Sequence, residues 1–316
     1  MNLHNIFRVG TAEQYLQAIS DGYEDIRAKK KIRLETIDLL LKKEEKSASE
    51  LLELGLLLLN NGAENRFELA KGLADRLIEI DPMRGNYLMG WMLSRPNSPY
   101  ASEDKLFACI KSSADKGYVP AINSLGYLYG FRQDVEGNDQ KEAVRLFQIA
   151  ALEGRATAQF NLALCFKEGI GVPQSLEQTI FYYRLAADQG DPKAMNNLGN
   201  CYYNGDGVDR SLLIAVGLWK QAAEWEAPKA CRSLGECYRD GDWVEQSYEE
   251  AARYFEMGAE LDDVGCVTYL ADLYFKGLGV KKDLDKAIAL YEKAESLGFP
   301  DAELWIQKIK AQQEGK

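Results

Sequence analysis

An all-α array of stacked helix-turn-helix hairpins is the fold this sequence predicts. Three observations predict it: a 36-residue repeat, two apolar stretches of helical spacing in each repeat, and a glycine-rich turn followed by a capping residue between them. Blocks starting at Arg155, Asp191, Ala227 and Asp263 overlie one another without a gap. A further unit runs from Tyr118 to Gly154 with one extra loop residue, another from Pro82 to Gly117, and a decayed one from Ser47 to Asp81, giving seven units and a tail.

Each half of a repeat has its own signature. In the first half, Ala194, Leu198, Cys201 and Tyr202 fall on one helical face. The turns Gly169-Ile170-Gly171-Val172, Gly205-Asp206-Gly207-Val208 and Gly277-Leu278-Gly279-Val280 then interrupt the helix. No strand precedes them and no third glycine follows in register, so they read as turn glycines with positive φ rather than as a phosphate cradle. The second helices announce their starts with Ser102, Asp139, Ser175, Ser211, Ser247 and Asp283, each able to accept an orphan amide as N-cap. Asp139 with Glu142, Ser175 with Gln178 and Ser247 with Glu250 have capping-box spacing. Downstream, small pairs such as Ala186-Ala187 and Ala222-Ala223 let helices approach, and Tyr182-Tyr183, Leu218-Trp219, Tyr254-Phe255 and Leu290-Tyr291 fill the space between.

These features together carry a resemblance. Ala194, Leu198-Gly199, Tyr202, the Gly205-x-Gly207-Val208 turn, the Ala251-x-x-Tyr254-Phe255 second helix and the closing Ala186-Ala187-x-x-Gly190 resemble the Sel-one-like repeat family, a relative of tetratricopeptide solenoids. The match is strong over 118–298 and weak over 47–117. The first 46 residues lie outside it. Units from Ser47 and Pro82 lack the glycine loop, Trp243 replaces its second glycine in one unit, and Thr179 replaces an alanine. The resemblance implies a right-handed α-solenoid that binds protein or peptide, often as an adaptor, without catalysis. Four segments follow: 1–46 as an N-terminal cap, 47–117 as two divergent repeats, 118–298 as five repeats, and 299–316 as a C-terminal capping helix and tail.

The ends of such an array need covering, because an end repeat exposes the surface its neighbour would bury. Tyr23, Ile26, Leu34, Ile37 and Leu41 recur at helical spacing beside the basic cluster Arg27, Lys29, Lys30, Lys31 and Arg33, so a helix from about 12 to 45 is expected to lie over the Leu51–Leu59 run. Leu304, Trp305, Ile306 and Ile309 are expected to close the other end.

Composition narrows the function classes. One histidine, His4, removes His-based triads and most metal sites. No phosphate-loop, serine-elbow or zincin motif is present, so the reading is no enzyme, no cofactor and no metal. Cys165, Cys201 and Cys237 share one first-helix position, where other units carry Leu128 and Leu273, and Cys266 stands where Ala158 and Ala194 stand; all four read as reduced core thiols. Residues 1–8 show no basic stretch followed by the apolar core a secretory signal needs, and the longest nearly apolar stretch, Leu51–Leu59, falls short of the roughly 20 residues a membrane span needs. A cytoplasmic protein is expected. Its formal charge of −11 opposes nucleic acid and suits a basic partner.

Function is then expected on the concave groove lined by first helices. With Ala194, Leu198 and Tyr202 taken as the buried side, Asn196, Asn200 and Tyr203 project outward. Equivalent positions are Tyr87 and Trp91; Asn123 and Tyr127; Phe160, Leu164 and Lys167; Arg232, Glu236 and Arg239; and Thr268, Asp272 and Phe275. Aromatic and arginine side chains among these have the composition of interface anchors. A protein- or peptide-binding scaffold is the leading reading. A bacterial immunity protein that occludes a cognate toxin with its acidic surface is a second, and a carbohydrate or small-ligand binder a third.

Overall fold

The computed structural model describes residues 35–60, 65–95, 97–131, 139–242 and 244–314. Regular structure among them is entirely helical: α1 (35–42), α2 (Ala48–Asn60), α3 (Arg66–Ile80), α4 (Pro82–Leu93), α5 (Glu103–Asp115), α6 (Val119–Phe131), α7 (Gln140–Leu152), α8 (Ala156–Glu168), α9 (Leu176–Asp188), α10 (Pro192–Asn204), α11 (Leu212–Glu224), α12 (Pro228–Asp240), α13 (Tyr248–Glu260), α14 (Val264–Lys276), α15 (Leu284–Ser296) and α16 (Ala302–Glu314). Contacts divide the chain into two compact units, one ending at Gly190 and the other beginning at Asp191. The first contains the hairpins α2/α3, α4/α5, α6/α7 and α8/α9; the second contains α10/α11, α12/α13 and α14/α15, followed by α16.

The starts of the second helices α5, α7, α9, α11, α13 and α15 follow the capping chemistry with two exceptions. Asp139 accepts from the amides of Lys141 and Glu142, Ser175 from Gln178, Ser247 from Glu250 and Asp283 from Lys286. Ser102 and Ser211 occupy N-cap positions, yet their side chains accept no capping bond. The expected reciprocal boxes are half-boxes: Glu142 and Glu250 turn instead to Arg145 and Arg253, one turn on. A full box forms at Ser47, whose amide donates to Glu50 Oε2 (2.9 Å) while the Glu50 amide donates to Ser47 Oγ (3.3 Å).

One packing device repeats through both units. Phe147, Tyr183, Trp219, Phe255 and Tyr291 stand 36 residues apart on successive second helices, each at most 3% exposed. In three of the five hairpins the first helix offers a seat without a side chain, and in the other two Ala163 and Ala271 take the place. A Cβ on Gly126 would lie 2.9 Å from the Phe147 ring, one on Gly199 2.6 Å from Trp219, and one on Gly235 2.3 Å from Phe255. This is the physical content of the Leu-Gly pair: glycine lowers the helix surface so that a ring can lie across it. Gly90 receives Ile110 in the same way within α4/α5.

The glycine turns join hairpins as well as helices. Gly169, Gly205, Gly241 and Gly277 are left-handed C-caps whose amides donate to the carbonyls of Cys165, Cys201, Cys237 and Leu273. Each turn closes when Ser175, Ser211, Ser247 or Asp283 donates its amide to the carbonyl of Phe166, Tyr202, Tyr238 or Tyr274, at 2.9–3.0 Å. The second glycine rests against the backbone that opens the preceding second helix: a Cβ on Gly171 would meet the Gln140 carbonyl oxygen at 2.2 Å, and one on Gly279 that of Tyr248 at the same distance. Their packing against the neighbouring hairpin accounts for their recurrence in repeat after repeat.

At the ends, Ile37 of α1 is buried against Leu54 and Leu58. The expected 12–45 helix is described from 35 to 42, and the chain leaves helical conformation before Ala48. Leu41 is 47% exposed, so that predicted contact residue does not join the packed face. Tyr23, Ile26, Leu34 and the basic cluster lie outside the described residues, as does Trp243. At the far end α16 buries Ile306 and Ile309 against Ala271, Ala287 and Tyr291, and Trp305 stacks on Tyr291 at 5.8 Å. Leu304, expected in that contact, is 67% exposed, because on a single closing helix it falls on the side away from the core.

All six cysteines are free thiols, and Cys109 alone is not buried. Burial pushes the Cys165 thiol from its ordinary 9.0 up to about 12. Burial, aided by nearby carboxylates led by Asp242, pushes Cys237 up to about 11. A thiol whose folded pKa is raised stays protonated after the unfolded chain has lost its proton, so its contribution is whole below pH 9 and declines above it. Thermal melts should therefore hold steady below that pH and fall between it and about 11–12, with a shallower fall for Cys165→Ala. An unchanged slope in that variant would assign the alkaline loss to other groups.

Candidate functional site

The first helices are buried over a wider arc than a helical wheel with one apolar face suggests, because each packs against its own second helix and against adjoining helices of its own unit. In α10, Ala194, Met195, Asn196, Leu198, Gly199 and Cys201 are all buried. This corrects the expectation for Asn196: it is 4% exposed, its Nδ2 donates to Asn197 at 3.2 Å, and its Oδ1 has no partner. Tyr87, also expected to face outward, is 7% exposed. Tyr202, taken as core, is half-buried.

Several other candidates serve the ring seats. Trp219 Nε1 donates to the Asn196 carbonyl oxygen (3.2 Å) and to Asn200 Oδ1 (3.1 Å), and Tyr203 packs on the same ring at 5.6 Å. The Tyr203 hydroxyl donates to Asp242 (3.1 Å), which with burial holds its pKa above the ordinary value. At the position equivalent to Asn200, Asp272 accepts a 2.7 Å bond from the Tyr291 hydroxyl, and burial followed by that bond raises the phenol. The same first-helix position thus supplies an acceptor to the polar tips of Trp219 and Tyr291. Phe255 carries none, and the intervening Glu236 lies instead beside the Tyr269 hydroxyl, which burial and this carboxylate raise.

The two candidate arginines of the second unit face carboxylates already. Arg232 lies 3.7 Å from Asp263, and Arg239 pairs with Asp240 (2.7 Å) while covering the Tyr269 ring at 4.8 Å. Thr268 donates to the Gly265 carbonyl (2.9 Å), and Phe275 meets Trp305 edge-on at 6.5 Å beneath Lys282.

In the first unit the candidate face is more open. Tyr127 is 49% exposed and lies 5.3 Å from Phe131. Phe160 is half-buried, 5.9 Å from Tyr183, with Leu164 half-buried one turn on and Lys167 exposed beside Glu168. Asn123 accepts from Asn161 Nδ2 at 3.0 Å. Trp91 is half-buried, edge-on to Tyr87 at 6.3 Å, with the Arg95 guanidinium 4.6 Å above its ring. Tyr87 in turn meets Tyr118 at 5.2 Å, with Arg84 5.9 Å over Tyr118. Reading the sequence singled out Trp91 here and missed Tyr118, Arg95 and Arg155.

No group of His, Cys, Asp and Glu among the described residues is arranged to hold a metal ion, and no described helix is long and apolar enough to cross a membrane.

A profile of the Sel1 repeat matches residues 119–154, 156–191, 192–224, 228–263 and 266–299, over half of the chain. The chain belongs to the Sel1 repeat family. Its neighbours among solved structures include a Sel1 repeat protein from Oxalobacter formigenes, 26% identical, with a TM-score of 0.65 over 97% of this chain and 93% of that one. The Sel1-like-fold protective antigen c5321 of uropathogenic Escherichia coli is 27% identical, with a TM-score of 0.62 over 77% of this chain and 52% of the antigen. The immunity protein Pa5087 of Pseudomonas aeruginosa shares the fold at 18% identity, with a TM-score of 0.52 over 70% of this chain and 83% of that one. This chain spans only a small part of the curated relatives it matches, 14% and 13% of their lengths. The Sel1 repeat explains the helix bounds, glycine turns and ring seats. It leaves the outward first-helix residues to vary.

Proposed function

We propose that this Sel1 repeat protein is a non-catalytic cytoplasmic scaffold that binds a protein or peptide on the face of its first helices. The observation that carries this reading is the first unit's surplus of aromatic surface. Tyr127 is half in water, and Phe131, Phe160 and Trp91 are only partly covered, although the ring seats of the repeat are already filled. Large rings left partly exposed on a rigid helical face supply binding energy at low entropic cost. A toxin inhibitor would use the same face, and the captured protein identifies which kind of scaffold this is.

Affinity capture from the source cells, followed by mass spectrometry, tests the assignment. The double variant Tyr127→Ala/Phe160→Ala should retain at least about tenfold less partner, with far-UV circular dichroism unchanged. Full retention by a folded double variant would overturn the assignment of this face.

A further inference from the structure

Arg155 breaks a local rule of its own repeat. It stands immediately before α8, at the position where Asp191 and Asp263 cap α10 and α14 by accepting the amides of Ala194 and Cys266. An aspartate there bonds a free amide and complements the positive end of the helix; an arginine does neither. Cations at helix starts are unfavourable, and departures from local preference gather where a chain has work other than folding.

Arg155 shares a second property with Arg95. Among the described residues, these are the two arginines whose Nε is buried without a hydrogen-bond acceptor; Arg95 donates its Nη2 to the neutral Asn60 Oδ1, and neither has a carboxylate ion pair. Elsewhere the same chain satisfies its half-buried arginines, as in the pairs of Arg84 with Asp81, Arg239 with Asp240 and Arg253 with Glu250. A guanidinium withdrawn from water without a countercharge is costly, and an arriving carboxylate relieves that cost. A second positive charge reaches the Arg95 site. Arg66 opposes the charge of Arg95, and Arg155 acts on the hydroxyls of Tyr87 and Tyr118 against the rise that burial gives them.

The rings between the two arginines form one strip. Tyr118 meets Tyr87 at 5.2 Å, Tyr87 meets Trp91 at 6.3 Å, and Arg95 lies over Trp91 at 4.6 Å. From Tyr87 to Leu93, the last residue of α4, the chain advances about 9 Å at helical rise, and Arg95 follows two residues on. The geometry points to an acidic peptide segment as the occupant of this strip: one carboxylate on Arg155, apolar side chains along Tyr118 and Trp91, and a second carboxylate on Arg95. This rests on the first-helix face being the binding surface, and it adds the chemistry of the partner. The −11 charge of the whole chain disfavours nucleic acid, whose phosphates would meet that field along their length. A short segment with two carboxylates meets mainly the local cations, within a Debye length of about 8 Å.

The test is fluorescence anisotropy of the full-length protein with a dye-labelled synthetic peptide bearing a glutamate at each end of a short phenylalanine- and leucine-rich stretch. Its glutamine counterpart and a dye-labelled oligothymidine serve as competing probes. The glutamate peptide should bind with a dissociation constant below about 1 mM and weaken as salt rises. Arg155→Gln and Arg95→Gln should each weaken it about tenfold, and together about a hundredfold. Arg155→Lys should recover part of the loss, and Arg145→Gln, on the second helix α7 where Arg145 pairs with Glu142, should change nothing. Equal binding of the glutamine peptide, tighter arginine-dependent binding of the oligothymidine, or no saturable binding would each overturn the inference. If the peptide fails while Tyr127→Ala/Phe160→Ala still abolishes capture, the acidic partner is refuted and the scaffold reading stands.

Discussion

Trp219→Ala should lower the stability of the second unit by about 4 kcal/mol, the cost of removing a large aromatic from a packed core. The ring is 3% exposed and lies across Gly199, where a Cβ would come within 2.6 Å of its Nε1. Its removal opens a cavity between α10 and α11. It also strips a donor from the Asn196 carbonyl and from Asn200, and a neighbour from Tyr203. Trp219→Phe keeps most of the ring and loses the two hydrogen bonds, so it should cost about 1–2 kcal/mol. Denaturant melts followed by far-UV circular dichroism compare the two. A cost below about 1 kcal/mol for the alanine variant would mean that the ring seat is incidental to the stability of the hairpin.

Gly279→Val should cost about 3 kcal/mol or more, from positive-φ strain plus overpacking. Gly279 has φ +67°, and any Cβ there is driven to 2.2 Å from the Tyr248 carbonyl carbon and oxygen. Both contacts are backbone, which cannot swing aside. Gly298→Ala separates the two causes. Its φ is +93° and the space around it is open, so only the conformational strain of about 1–2 kcal/mol applies. Similar losses in the two variants, measured by the same melts, would show that the close approach at Gly279 contributes little.

The fold was legible because its determinants are local and periodic. A 36-residue recurrence of Leu-Gly, Gly-x-Gly, a capping oxygen and a second-helix ring identifies hairpins without any knowledge of their neighbours. The face was less legible. A helical wheel divides a helix into two sides, whereas α10 is enclosed on several, which buries Asn196 and draws Asn200 and Tyr203 toward Trp219. Asn200 and Asp272 read as outward polar groups because their ring-tip partners lie 19 residues further along the chain. Arg155 was visible in the alignment of blocks beginning Arg155, Asp191, Ala227 and Asp263. Its meaning depended on knowing that the aspartates cap helices and that the buried Nε of the arginine finds no acceptor.

The contact of Gly171 with Gln140 and of Gly279 with Tyr248 gives each unit a direction. A hairpin carries the fastener for its predecessor and none for its successor. Insertions or deletions that preserve the joint must come in whole hairpins, and a fragment ending just after a glycine turn keeps its last joint closed. One ending just before it leaves the start of the previous second helix without its latch, so fraying should travel inward from that cut rather than from the opposite terminus.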